Sequence, residues 1–66
     1  MPAVVHIGDK LKEGRTRELL TQRELAEKSG VGVNTIIRIE RNQVNPHFRT
    51  IRKLAGALGI DPRALL

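Results

Sequence analysis

TQRELAEKSGVGVNTIIRIER, residues 21–41, carries two short helical patterns separated by three or four residues around Gly30. Thr21 is a good N-cap with Glu24 three residues on, the spacing of a capping box, and this opens a helix running to about Ser29. Gly30 stops it. The next helix should occupy about residues 33–41 and close at Asn42, a residue type that tolerates the left-handed conformation of helix ends. A connection this tight makes the two helices cross steeply instead of lying antiparallel. Close crossing needs small residues, which Ala26 provides one turn before Gly30, while Leu25, Val31, Ile36 and Ile39 supply the apolar seam.

The flanking sequence also reads as helix, with apolar residues at three- and four-residue spacing and little alternation. Ile7 and Leu11 lie four apart on a first helix of about residues 8–18, interrupted by Gly14 at a cost of ~1 kcal/mol relative to Ala. After a polar loop, Pro46 marks a helix start, and Phe48, Ile51, Leu54, Ala55 and Leu58 form the apolar stripe of a fourth helix that ends at Gly59. Asp61 and Pro62 open a short last turn bearing Leu65 and Leu66. The expected fold class is all-α, a compact bundle of five short helices in one domain over residues 1–66.

Composition narrows the function. A chain of 66 residues, 39% apolar, has room for one core and none for the deep cleft of a large enzyme. With one Phe, no Trp and no Tyr, that core is built from Leu, Ile, Val and Ala. The absence of cysteine removes disulfides and thiolate metal sites. Twelve basic against seven acidic side chains give +5, which points to a polyanionic partner, nucleic acid before membrane. The positive charge is uneven: residues 1–36 carry six basic and five acidic side chains, whereas 37–66 carry six and two.

The order of TQRELAEKSGV, IIRIER, the NP dipeptide and the closing ALGIDPRALL, with Ala26, Gly30, Ile36 and Ile39 at their spacing, resembles the Cro- and phage-repressor-like (Xre-like) helix-turn-helix family. The resemblance runs from Ile7 to the end. It implies a lambda-repressor-like bundle of five helices that binds duplex DNA, usually as a dimer, to regulate transcription. It also implies that Val33, Asn34 and Arg38 fall on base-reading positions with Ile37 beside them. Arg15 and Glu40 match an internal ion pair of the family, and Gln22 matches a phosphate-contacting glutamine. Three positions depart from the pattern: Gly32 where Ser or Thr commonly caps the recognition helix, Asn42 for a usual Gly, and Leu19 where Gly is frequent.

Helical geometry agrees with those roles. At about 100° per residue, Ile36 and Ile39 point inward while Asn34, Ile37, Arg38 and Arg41 gather on the opposite side. Val33 and Ile37 suit thymine methyl groups, Asn34 suits adenine, and Arg38 can give a bidentate contact to guanine O6 and N7. Gln22 stands where free amides and the helix dipole attract phosphate. Gly32, Thr35, Arg41, Asn42 and Gln43 complete the expected phosphate set, with Asn45 nearby in the same loop. The bland alternative makes Arg38 and Arg41 solvated surface and Val33 a bundle edge.

Other chemistry has little footing. GVG at 30–32 lacks the third glycine and the preceding strand of a dinucleotide loop. His6 and His47 are too few for a metal site, and Ser29 has no triad partner at motif spacing, so no cofactor, metal or enzymatic activity is expected. FRTIRKLAGALG is basic and amphipathic, but so small a domain needs that stripe for its core, and a membrane role is not expected. No run approaches a membrane span or a signal peptide, which suggests a soluble cytoplasmic protein. The runner-up function is a protein-binding module, such as an antitoxin or accessory subunit. A homodimer on a near-palindromic operator is the expected assembly, with Leu65, Leu66 and the VVHI segment left over for its interface.

Overall fold

The computed structural model describes residues 7–66, all helix and connecting turn. Four α-helices follow one another: α1 (Gly8–Arg17), α2 (Gln22–Ser29), α3 (Val33–Glu40) and α4 (Phe48–Leu58). The expected fifth helix is a single 3-10 turn, Pro62–Leu65. Four residues cannot propagate an i to i−4 ladder, and the bonds formed are Ala64 N–H to Asp61 O at 2.8 Å and Leu66 N–H to Arg63 O at 3.1 Å. His6 and the start of the VVHI segment lie outside the described residues.

Local chemistry explains the helix limits. Glu24 N–H donates to Thr21 Oγ1 at 3.0 Å and Thr21 N–H donates to Glu24 Oε1 at 2.8 Å, the reciprocal capping box read from the sequence. Those bonds, the Thr21 amide first, hold the Glu24 carboxyl below the usual carboxylate range. The cap's charge-linked contribution is therefore complete above about pH 4.3, the unfolded value, and is lost as pH falls through the lower folded one. Helices α1, α3 and α4 end alike: a residue with positive φ, then a residue whose N–H reaches five residues back. The positive-φ residues are Leu19 at 57°, Asn42 at 57° and Gly59 at 69°. The five-residue bonds are Leu20 to Arg15 O at 3.0 Å, Gln43 to Arg38 O at 2.9 Å and Ile60 to Ala55 O at 3.0 Å.

Leu19 is the strained member, 88% exposed and β-carbon-bearing in a left-handed backbone. Leu19→Gly should relieve that strain at the smaller cost of a looser unfolded chain, a net gain of up to about 1 kcal/mol. Thermal denaturation should then shift upward by a few degrees. A lower midpoint would show that the leucine makes a contact worth more than its strain.

The core is one aliphatic cluster of Ile7, Leu11, Leu25, Val31, Ile36, Ile39, Ile51, Leu54, Ala55, Ala57, Leu58 and Leu65, with Leu20, Ala26 and Ile60 packed on its edge. Helix α2 packs on α3 and α4, α1 packs on α3, and the 3-10 turn closes against α4. Gly14 is buried, and a Cβ there would lie 3.1 Å from Leu58 Cδ1, so the helix-weakening residue permits close packing. Two expectations are corrected. Leu65 belongs to the core instead of an interface, because the 3-10 turn folds it back onto α4. Phe48, assigned to the apolar stripe, is 75% exposed, because it stands one turn before Ile51 at the open end of α4.

Candidate nucleic-acid interface

Helix α3 is placed by its inward residues. Ile36 and Ile39 are buried, which turns Asn34, Arg38 and Arg41 into solvent with half-buried Val33 and Ile37 among them. Among the described residues, the side chains of Asn34, Thr35, Arg38 and Arg41 form none of the side-chain hydrogen bonds or ion pairs. The face is a polar, cationic surface with two aliphatic residues and its donors unspent. At the α3 N-terminus Gly32 supplies no side-chain cap, leaving the first amides without that partner.

The far end of α3 is held by a half-buried network. Arg15 Nε donates to Glu40 Oε2 at 2.6 Å and Arg15 Nη2 donates to Glu40 Oε1 at 3.0 Å, a two-pronged ion pair between α1 and the last residue of α3. Arg15 Nη1 donates to Leu20 O at 2.9 Å, and Gln22 Nε2 donates to Glu40 Oε1 at 3.0 Å. One carboxylate thus ties together α1, the following turn, the start of α2 and the end of α3. The hydrogen bond from Arg15 to Glu40 raises the guanidinium pKa further above its already high value, against the opposing effect of burial. A second tie lies alongside: Gly8 N–H donates to Asn42 Oδ1 at 3.0 Å. A Cβ on Gly8 would come within 2.6 Å of Ile39 O and 2.7 Å of Glu40 O, so only glycine lets α1 start against the end of α3.

These contacts refine the sequence-derived phosphate set. Gln22 has one of its two amide hydrogens committed to Glu40, and Asn42 has its side-chain oxygen committed to Gly8. Thr35, Arg41 and Gln43 are exposed, as is Gly32. Sequence reasoning missed Lys12, which joins Arg15, Thr21, Gln22, Glu40 and Arg41 around an open cleft of about 390 Å³. Its spacing of three from Arg15 on α1 is the signal that puts it there. The missed Gln22–Glu40 bond had no local signal, because the partners are 18 residues apart.

Comparison with known proteins fits this geometry. Residues 11–65 match the helix-turn-helix family. The chain belongs to that family. The crystal structure of the restriction-modification controller protein C.AhdI from Aeromonas hydrophila superposes on this helix-turn-helix chain with a TM-score of 0.89, at 41% identity over 96% of each chain. The immunity repressor protein of Bacillus phage phi105 is 38% identical over 60 residues, 91% of this chain and 42% of the repressor. The HTH-type transcriptional regulator SinR of Bacillus subtilis is 36% identical over 61 residues, 91% of this chain and 55% of SinR. This helix-turn-helix chain thus spans about half the length of those two regulators. Among its described residues no helix is long and apolar enough to cross a membrane.

Proposed function

We propose that this protein is a sequence-specific duplex-DNA-binding transcription regulator, acting as a cytoplasmic repressor that lays α3 in the major groove. The observation that carries the reading is the outward face of α3, where Asn34 and Arg38 keep free donors beside Val33 and Ile37. Those four residues read base edges, the aliphatic pair against thymine methyls and Arg38 against guanine. Phosphates are met by Gln22 through its remaining amide hydrogen, by the uncapped α3 amides near Gly32, and by Thr35, Arg41, Asn42 and Gln43. The naming of its relatives as repressors and regulators supports this reading over a protein-binding module.

The test is selection of bound sites from random duplexes, followed by binding to the selected site at several salt concentrations. A defined site should emerge, and log affinity should fall against log salt with a slope of about 0.9 for each phosphate neutralised. No sequence preference and no salt dependence would overturn the proposal.

The regulator acts as a homodimer. One chain extends 35 × 23 × 19 Å and presents one α3, whereas symmetric sites place their halves about 34 Å apart. The surface for a second copy is the start of α4 and the 3-10 turn. There exposed Phe48 and Leu66 border a hollow of about 210 Å³ completed by Ile51, Arg52, Pro62 and Arg63. Knob and hollow lie side by side, so each copy's Phe48 can enter the other's hollow about a twofold axis. Phe48→Lys should leave the fold unchanged and weaken self-association at least tenfold in sedimentation equilibrium, the cost of burying an unpaired charge beside like charges. Unaltered self-association would move the interface elsewhere.

A further inference from the structure

The apolar patch around Phe48 is flanked by arginines. Arg52 and Arg63 line the 210 Å³ hollow, and Arg49 with Arg52 lines a second hollow on the other flank of Phe48. Helix α4 has no acidic residue to balance them. The side-chain carboxylate beside the patch, Asp61, is already bound by Arg63, with Nη2 to Oδ2 at 2.9 Å and Nε to Oδ1 at 3.2 Å. No ion pair among the described residues involves Arg49 or Arg52. The patch therefore has an attractive apolar centre and a rim that repels its own image.

We propose that this arginine rim makes self-association of the protein dependent on screening anions, so that pairing tightens with salt while duplex binding weakens. The inference rests on the homodimer reading above. In a twofold pair the Arg49 and Arg52 side chains of both copies come together around one small apolar contact, with no free side-chain carboxylate to accept them. Like charges at such separations interact strongly at low ionic strength and are screened over about 10 Å at 0.1 M salt and about 3 Å at 1 M. Raising salt removes the repulsion and leaves the apolar contact intact. DNA binding responds in the opposite sense, because salt competes with release of the phosphates' counterions. The two responses oppose each other, so assembly of the pair on a site loses less affinity with salt than twice the loss of one chain on a half-site.

Sedimentation equilibrium in 0.05 M and 0.5 M NaCl tests this with the intact chain, Arg52→Gln and Phe48→Lys. The intact chain should dimerise about fivefold more tightly at the higher salt. Arg52→Gln, at an exposed position, should dimerise about fivefold more tightly than the intact chain at 0.05 M and show a much flatter salt response. An equal response in the two would mean that salt acts on the apolar contact alone and would overturn the proposal. So would pairing that weakens with salt. Absence of any dimer, or a dimer untouched by Phe48→Lys, would instead reject the interface on which the inference stands, and duplex binding measured in parallel shows whether the DNA-binding reading survives.

Discussion

Arg15→Ala should lower the stability of this small protein by about 3 kcal/mol and its Tm by roughly 15 °C. Glu40 is 5% exposed in its side chain and Arg15 14%, so deleting the arginine strands a carboxylate that water barely reaches. Gln22 alone would remain to solvate it, and the Leu20 carbonyl would lose its donor. The low end of the range for broken buried pairs is appropriate because Arg15 keeps some solvent contact. Stability of about 0.05–0.15 kcal/mol per residue amounts to only several kcal/mol for a chain this short, so the loss is a large share of the total. Glu40→Gln should cost less, since the amide removes the buried charge and keeps an acceptor for Gln22. The pair Arg15→Met with Glu40→Leu should recover most of the loss, because two apolar side chains leave no orphaned charge. Denaturant unfolding of the four proteins checks the order, and an Arg15→Ala midpoint equal to that of the unaltered chain would deny the network any part in stability. Arg15→Ala would also depress DNA binding near its Tm, a loss that should disappear on cooling to where the variant is folded.

The contrast between what the chain announced and what it concealed follows the range of the interactions. The Thr21–Glu24 capping box and the left-handed closures at Asn42 and Gly59 are settled within four or five residues, and each was readable. The orientation of α3 was readable too, because Ile36 and Ile39 set its inward face and leave Ile37 outside. Periodicity places a residue around a helix axis but says nothing about where the neighbouring elements stop. Phe48 has the correct phase for the α4 stripe and projects past the end of the packing. Leu65 was misassigned for the complementary reason, since a four-residue turn gives no period from which to infer a buried side. The Gln22–Glu40 and Gly8–Asn42 bonds join residues 18 and 34 apart, and only the assembled bundle brings them together. Both bonds fall at the C-terminal end of α3, so the least legible contacts set the position of the surface proposed to read DNA.

Arg38→Ala should separate base reading from phosphate attraction. Arg38 is exposed and belongs to neither of the ion pairs among the described residues, so its truncation should change stability by no more than about 0.5 kcal/mol. Affinity for the selected site should fall about ten- to a hundredfold, the 1–3 kcal/mol carried by a good bidentate contact to a base. Affinity for unrelated duplex should fall only by the share of one surface cation, and the salt slope should change by at most about 0.9. A second round of site selection should then show one position relaxed, the others retaining their preference. Arg38→Lys sharpens the distinction: the ammonium keeps the charge but lacks the planar fork, so non-specific affinity should return without the discrimination. Equal losses on selected and random duplexes would place Arg38 on the phosphate backbone, and base reading would then fall to Val33, Asn34 and Ile37. Those three offer one carboxamide and two methyl-bearing side chains, enough to favour an A·T-rich half-site but with no cationic fork for a G·C pair.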